Sequence, residues 1–317
     1  MVATLLFTAQ TAIWIRSLVQ SPTETVPKPK ASTPITSAHF LAWGSIATAT
    51  LAATLWSTHS GGPASLAAQM ALPFNLAATV LAYLIGSQVP KHLHGIFHPV
   101  LVTAVLAHVA VVFHGSLRGL SFDAAQVVYL NKGTHGMTPG AGDALMNVLG
   151  MVIVSFGLRI YTQRKIMKRH ATEILGTTAL SALFSMFSTA LAAKALGLNG
   201  ALARALVPRS VTVALAVPIA RQLNASVAIT AAAVLLQGLL GANFGPNLMT
   251  MIGVRDVIAR GMAAAATAGG LGTAAIAAKE PEALPFCALS YSMIGIMSTC
   301  FAAVPPIMNA LVAVLPP

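Results

Sequence analysis

The sequence predicts an all-α, polytopic integral membrane protein of about 9 to 11 helices, several of them discontinuous within the membrane. Composition is the first reason, because 8% of the 317 residues are charged and 56% are hydrophobic, whereas soluble domains are roughly 25% charged. Apolar runs long enough to cross a bilayer as helices recur along the whole chain. Prolines and paired glycines interrupt these runs in the second half, which predicts the discontinuous helices.

The chain divides into a first helix, a linker and one large domain. Residues 1–20 lack the basic start and the cleavage site of a secretory signal, so they predict a lone N-terminal membrane helix. Residues 21–36 are rich in proline, threonine and lysine and predict a linker. Residues 37–317 form the large domain. Its helices are expected at 38–57, 66–89, 97–115, 142–163, 171–196, 205–222, 226–250, 256–277 and 283–303, with a last apolar piece to Val314.

Basic residues concentrate in alternate loops of the first half. If every helix there crosses the membrane, one side carries Arg118 and Lys132 alone. The other side collects Lys28, Lys30, Lys91, Arg164, Lys165, Lys168 and Arg169. The positive-inside rule places that basic side in the cytosol, or in the matrix or stroma of an organelle. The net charge of +11 therefore reflects membrane orientation, and nucleic acid is not an expected partner.

The breaks in the second half fall at Pro208, Pro218, Pro246 and the pair Gly269 and Gly270. In transporters such breaks expose backbone groups that bind anions and coupling ions. An inverted repeat is one reading of the similarity between residues 152–164 and 211–223. Chance similarity between two apolar helices explains it equally well.

Two polar groups stand out near these breaks. Arg209 and Ser210 follow Pro208 at the start of an apolar helix, where a guanidinium and free N–H groups would bind an anion. An arginine at the membrane interface, paired with lipid phosphate, is the alternative. Asn243 brings an amide to a segment whose Gly241 and Gly245 suit close helix packing.

The acidic residues and histidines give no enzyme signature. Asp143 and Asp256 stand at helix starts, where capping explains them. Glu280 is either a helix cap or a functional residue, because it follows the glycine-rich break in sequence. No carboxylate or cysteine accompanies the histidines at 92, 94 and 98, so no metal is expected. No nucleophile–base–acid group and no phosphate-binding fingerprint is present, so neither catalysis nor a cofactor is expected.

Several segments together resemble one family. They are GAGDALM, LVPRSVTVALAVPIA, LLGANFGPNLM, RDVIARGMA and GLGTAAIAAKEPEALPFCALSYSMIGI. Over residues 70–310 the chain resembles the LrgB/CidB family of membrane proteins, and within it the LrgB half of the plastidal glycolate/glycerate translocators. AKEPEALPFCA is the plastid form of its segment. The resemblance makes residues 37–317 an LrgB-like transport domain and residues 1–20 a remnant of an LrgA-like half.

The resemblance implies a secondary transporter of small 2-hydroxycarboxylates in the inner chloroplast envelope, which exchanges glycolate and glycerate in photorespiration or moves them with protons. The bacterial members imply the alternative, a holin- or antiholin-like pore or regulatory component in a plasma membrane. The expected partners are glycolate, glycerate, membrane lipid, an LrgA-like half and further copies of the chain in a homo-oligomer.

The residues near the helix breaks and the family resemblance together predict a substrate-binding site. Arg209 and the backbone amides at Gly270, Gly272 and Thr273 would bind the carboxylate. Ser210, Thr212 or Asn243 would bind the 2-hydroxyl group. Glu280 is the candidate for proton coupling. The family pattern S-x-H-G-[IL]-G-T has a histidine where this sequence has Gly269. A proton-relay role for that histidine is therefore not expected at Gly269.

Overall fold

The computed structural model describes residues 1–19, 35–90, 93, 97–131 and 138–317, and this part of the chain is helical without strands. Most of the predicted linker 21–36 lies outside the described residues. The helices are α1 Val2–Val19, α2 Ser37–His59, α3 Ala64–Gln69, α4 Ala71–Gly86, α5 Pro99–Leu117, α6 Phe122–Tyr129, α7 Ala141–Thr162, α8 Arg164–Arg169, α9 Ala171–Ala195, α10 Gly200–Leu206, α11 Val213–Gln222, α12 Val227–Met251, α13 Val257–Lys279, α14 Leu284–Ala303 and α15 Pro305–Val314.

Eight helical segments in the described part are long and apolar enough to cross a membrane, which confirms an all-α, multi-pass membrane protein. Three shorter helices differ from the sequence prediction. The expected helix 66–89 is divided into α3 and α4 at Met70, and α6 and α8 form in segments that were expected to be loops. In α6 the hydroxyl of Ser121 caps the first turn, accepting from the Ala124 amide at 3.3 Å.

The chain forms two compact units. The smaller unit, residues 31–149, contains α2 to α6. Its interior includes a buried histidine, since His114 stacks on Phe74 with ring centroids 4.5 Å apart and its ring lies 3.1 Å from the Thr54 hydroxyl. Asp143 accepts from the amides of Asn131 and Gly140 at 3.0 and 2.9 Å, as its predicted capping role requires.

The larger unit contains residues 1–30 and 150–317. Helix α1, which the sequence analysis treats as a lone helix, packs here against α9 and α13. Small residues bring the other helices close together. A Cβ built on Gly241 of α12 would lie 2.7 Å from the Cβ of Ala268 in α13, so glycine is required for this close approach.

Helix α13 does not cross the membrane, because it turns back on itself at Gly269. The backbone there has φ 53° and ψ −129°, which is left-handed rather than helical. Arg260 and Glu280, twenty positions apart in sequence, are in direct contact. In a straight helix they would be about 30 Å apart. A Cβ built on Gly272 would also lie 2.6 Å from the carbonyl oxygen of Ala264. The expected single helix 256–277 is therefore a re-entrant hairpin of two half-helices.

A second break separates α10 from α11. Residues Val207–Ser210 form a 3₁₀ turn and Val211 and Thr212 are extended, so the expected helix 205–222 is interrupted at its proline-containing start. Neither α10 nor α11 is long enough to cross a bilayer. By contrast, α11 and α12 continue through Pro218 and Pro246. Residues 211–223 therefore differ in structure from residues 152–162, which lie in the continuous helix α7.

Candidate functional site

The two breaks meet at a cavity of about 220 Å³ inside the larger unit. Residues 209–213 line it from the break before α11, and residues 267–271 line it from the turn of α13. Val234, Leu235 and Gly238 of α12 and Tyr291 of α14 complete the wall. The cavity is thus built where irregular backbone lies inside the protein, which is the setting in which a membrane protein tolerates it.

Two half-helices begin at this cavity. Helix α11 starts after Thr212, and the second arm of α13 starts after Gly269. The first N–H groups of a helix have no partner within the helix, and the helix dipole places partial positive charge at that end. The N-terminal ends of two half-helices therefore lie beside the same space, and N–H groups at such ends are suited to bind an anion.

Arg209 adds a full positive charge. Its Nη1 is buried and has no hydrogen-bond partner among the described residues. No acidic side chain is among the residues that line the cavity. Arg209 is partly exposed, so its guanidinium is desolvated in part, and a bound anion would offset the cost of that desolvation. The arrangement is suited to a small carboxylate.

Ser210 is held in one orientation by two donors. Its Oγ accepts from Ser185 Oγ at 2.7 Å and from Gln237 Nε2 at 2.5 Å. A hydroxyl has two acceptor positions and one proton. With both acceptor positions used, the Ser210 proton is left to donate, and Ser210 lies on the cavity wall next to Arg209. A ligand oxygen is a suitable acceptor.

Tyr291 covers the turn of α13. A Cβ built on Gly269 would lie 3.3 Å from its Cε2, and one built on Gly270 would lie 3.3 Å from its hydroxyl oxygen. The ring packs edge-on against Phe156 with centroids 5.4 Å apart. It lines the cavity together with Thr212 of the other break. Tyr291 therefore links the two breaks and limits the size of the cavity.

The structure brings together four of the residues expected at the site, and four others lie elsewhere. Arg209, Ser210, Thr212 and Gly270 line the cavity. The remaining four are Asn243, Gly272, Thr273 and Glu280.

Asn243 is five positions beyond Gly238 on α12, which is about 140° around the helix, and it is not among the lining residues. Gly272 packs against the first arm of α13. The Thr273 hydroxyl donates to the Gly269 carbonyl at 3.2 Å, so it stabilises the turn from outside the cavity wall.

Glu280 lies at the far end of α13 from the cavity and is bound by Arg260. Its Oε2 accepts from Arg260 Nε at 2.6 Å and its Oε1 from Arg260 Nη2 at 2.5 Å. Arg260 also donates to the carbonyls of Val254 and Pro246, at 2.7 and 3.1 Å. This group closes the base of the α13 hairpin against the end of α12.

Gln237 and Tyr291 are site residues that the sequence analysis did not select. Each is a polar group within an apolar membrane helix, where it needs a hydrogen-bond partner, and that signal was available. No group of three His, Cys, Asp or Glu side chains in the described part could hold a metal ion. The sequence predicts that the histidines at 92, 94 and 98 bind no metal, and those at 92 and 94 lie outside the described residues.

Comparison with known proteins gives consistent matches. A family model described as the LrgB-like family matches residues 79–308. The chain is 40% identical over 315 residues to plastidal glycolate/glycerate translocator 1 of Arabidopsis thaliana, covering 99% of this chain and 60% of that protein. It is 25% identical over 238 residues to an antiholin-like protein LrgB of Bacillus cereus, covering 74% of this chain and 95% of that one. No solved structure matches the chain.

Proposed function

The chain belongs to the LrgB-like family, and from that premise we propose that it is a secondary transporter of small 2-hydroxycarboxylates such as glycolate and glycerate. The cavity between the two helix breaks carries this proposal, because a partly buried Arg209, whose Nη1 has no hydrogen-bond partner among the described residues, and two half-helix N-termini meet there. The name of the Arabidopsis relative, a glycolate/glycerate translocator, supports the substrate class. No catalytic role is part of the proposal.

The substrate carboxylate would bind to the Arg209 guanidinium and to the backbone amides that follow Gly269. The 2-hydroxyl group would accept from Ser210 or bond to Thr212. Discrimination of a hydroxyl requires such polar partners, since an apolar pocket rejects a hydroxyl only weakly. The cavity of about 220 Å³ is smaller than the roughly 300–1,000 Å³ of pockets for drug-sized ligands, which suits an acid of two or three carbons.

The proposed location is the inner chloroplast envelope, where exchange of glycolate and glycerate would serve photorespiration. A bacterial-type plasma membrane is the alternative. The chain spans 60% of the length of the Arabidopsis translocator. An LrgA-like half is proposed as a partner. Assembly into a homo-oligomer is proposed as well.

A pore or regulatory component is the second candidate function, and the name of the antiholin-like relatives favours it. The two candidates differ in their transport kinetics. A carrier saturates and exchanges one substrate for another across the membrane, whereas a pore leaks solutes without saturation or exchange.

The test is counterflow in proteoliposomes. Vesicles loaded with unlabelled glycerate should take up labelled glycolate in a saturable way at equal pH on both sides. Arg209→Gln should lower this uptake about 10- to 100-fold, because a hydrogen bond to a charged group contributes about 1.5–3 kcal/mol.

Arg221→Gln is the matched control. It removes an exposed arginine from the end of α11 without altering the cavity, so it should behave as the wild type. Unsaturable leakage from wild-type vesicles would support the pore instead. Normal counterflow by Arg209→Gln would overturn the assignment of the site.

A further inference from the structure

Helix α9 carries a row of buried polar side chains at four-residue spacing. Glu173, Thr177, Ser181 and Ser185 are 1%, 0%, 1% and 3% exposed. Side chains four positions apart lie one above the other on the same helix face. The row therefore runs in one line through the protein interior, with an acid at one end and a hydroxyl at the other.

The hydroxyl end of the row reaches the cavity. Ser185 donates to Ser210, which lines the cavity beside Arg209. Twelve positions of helix separate Ser185 from Glu173, or about 18 Å. The row thus joins a deep binding cavity to a carboxylate near the start of α9, next to the basic segment Arg164–Arg169.

The middle of the row has unused hydrogen-bonding capacity. Thr177 Oγ1 and Ser181 Oγ are buried and have no partner among the described residues. Hydroxyls in membrane helices commonly bond to the carbonyl four positions earlier, and Thr178 does so, donating to Ile174 at 2.6 Å. Side chains at this spacing have Cβ atoms about 5–6 Å apart, and both oxygens are closed to solvent in this conformation. A proton can therefore pass along the row only when the helices separate enough to admit bridging waters.

Helix α1 shields the row along its length. Arg16 of α1 lies beside Glu173 and Phe7 stacks on Phe184 at 3.9 Å, so the two helices are antiparallel. On α1 the threonines at 4, 8 and 11 are buried. Both sides of the α1–α9 interface therefore carry hydroxyls.

The acid end of the row is a cluster of charged and titratable groups. Glu173 Oε2 is hydrogen-bonded to His170 Nδ1, while Oε1 is 3.9 Å from Arg16 Nε and has no hydrogen-bond partner among the described residues. Arg16 is also paired with Asp256 at the start of α13. The cluster therefore holds two carboxylates, an arginine and a histidine.

Among the described residues, the groups shown in contact with the Glu173 carboxylate are His170 and Arg16. Helix α14 presents the ring of Phe286 to His170, with centroids 5.3 Å apart. The basic residues of α8 are exposed to solvent. Glu173 is a buried carboxylate near one end of its membrane helix, at the end of a row of buried hydroxyls, and buried acidic residues in membrane helices mark proton relays.

We propose that the His170–Glu173 pair is the proton-binding site of this transporter, and that the hydroxyl row on α9 conducts the proton between this pair and the cavity. The inference rests on the proposed function. One proton moves with one monovalent acid anion, so no net charge crosses the membrane. The only bonds that form or break are those to the transferred proton.

Glu173→Gln tests the proton-binding site with almost no change of shape. In proteoliposomes with a pH gradient, the wild type should accumulate labelled glycolate and a trapped pH indicator dye should report proton entry. Glu173→Gln should lose both signals but keep counterflow of glycolate against glycerate at equal pH. Retained accumulation in this variant would overturn the proposal, and so would loss of counterflow together with accumulation in a folded protein.

The hydroxyl row has its own variant and control. Thr177→Val combined with Ser181→Ala should slow pH-driven accumulation without affecting counterflow. Thr178→Val, which removes a neighbouring hydroxyl already bonded to Ile174, should leave both unchanged. Equal accumulation rates in the two variants would overturn the row as a proton path.

Transport by the wild-type protein distinguishes failure of this inference from failure of the proposed function. Counterflow without any response to a pH gradient would overturn the proton pathway alone. Absence of counterflow would overturn the proposed function, and the pathway with it.

Discussion

Arg260 binds both carboxylate oxygens of Glu280 across the base of the α13 hairpin, at 2.6 and 2.5 Å, although twenty positions separate the two residues. The pair holds two half-helices side by side, and both side chains are mostly buried, at 12% and 17% exposure. Breaking it would leave a buried charge without its partner.

Glu280→Gln should therefore lower the free energy of unfolding by about 3 kcal/mol, seen as a lower melting temperature in detergent. Glu282→Gln is the control, because Glu282 is exposed two positions away. The sequence analysis proposes Glu280 for proton coupling. A Glu280→Gln protein with wild-type stability and no pH-driven transport would favour that role over a structural one.

Gly269→Ala should destabilise the hairpin turn. The backbone at φ 53° and ψ −129° suits glycine alone, and placing an L-residue in such a region costs about 1–3 kcal/mol. The new methyl group would also meet the Tyr291 ring at 3.3 Å. Both effects should lower the melting temperature and reduce glycolate counterflow.

Gly157→Ala provides the comparison for this variant. Gly157 is within α7 with open space around its Cβ position, so alanine there should be neutral or raise stability by up to about 1 kcal/mol. If both variants melted at the same temperature, the strained turn at Gly269 would be refuted.

Tyr291→Ala should enlarge the cavity and change its selectivity. Removal of the ring frees space over the α13 turn, so 2-hydroxy acids with longer side chains should compete with labelled glycolate in counterflow. Tyr291→Phe keeps the ring and should exclude them as the wild type does. Unchanged selectivity in Tyr291→Ala would show that another part of the wall sets the size limit.

Gln237→Ala should weaken substrate binding without abolishing transport. The Gln237 amide orients the Ser210 hydroxyl, and losing one such hydrogen bond costs about 1 kcal/mol. The KM for glycolate should therefore rise about 5-fold at a similar maximal rate. Gln222→Ala, at an exposed position on α11, should leave the KM unchanged.

The membrane class and the long helices follow from the sequence because hydrocarbon accepts only long apolar helical segments in such a chain. The breaks were harder to locate. Pro208, Pro218 and Pro246 have the same local chemistry, yet only the first interrupts a helix. Whether a freed backbone group finds a new partner depends on tertiary neighbours, which a single sequence does not display.

Part of the site was predictable because some of its residues are close to the helix breaks in sequence. Arg209, Ser210, Thr212 and Gly270 flank the two breaks in sequence, so local reasoning placed them at the cavity wall. The reversal of α13 puts Glu280 beside Arg260, and local spacing alone gives no sign of this contact. Helix packing alone brings Tyr291 to the cavity wall and Gln237 to the Ser210 hydroxyl.

The reversal at Gly269 also has a consequence for biogenesis. Each arm of the hairpin is about 15–18 Å long, too short to partition into lipid on its own as it leaves the ribosome. We expect the segment to remain outside the bilayer until α12 and α14 are both in place to receive it. Ala263 is fully buried and does not line the cavity. In a chain truncated after Lys279, a cysteine at position 263 should therefore react with a water-soluble reagent added on the basic side, and in the full chain it should not.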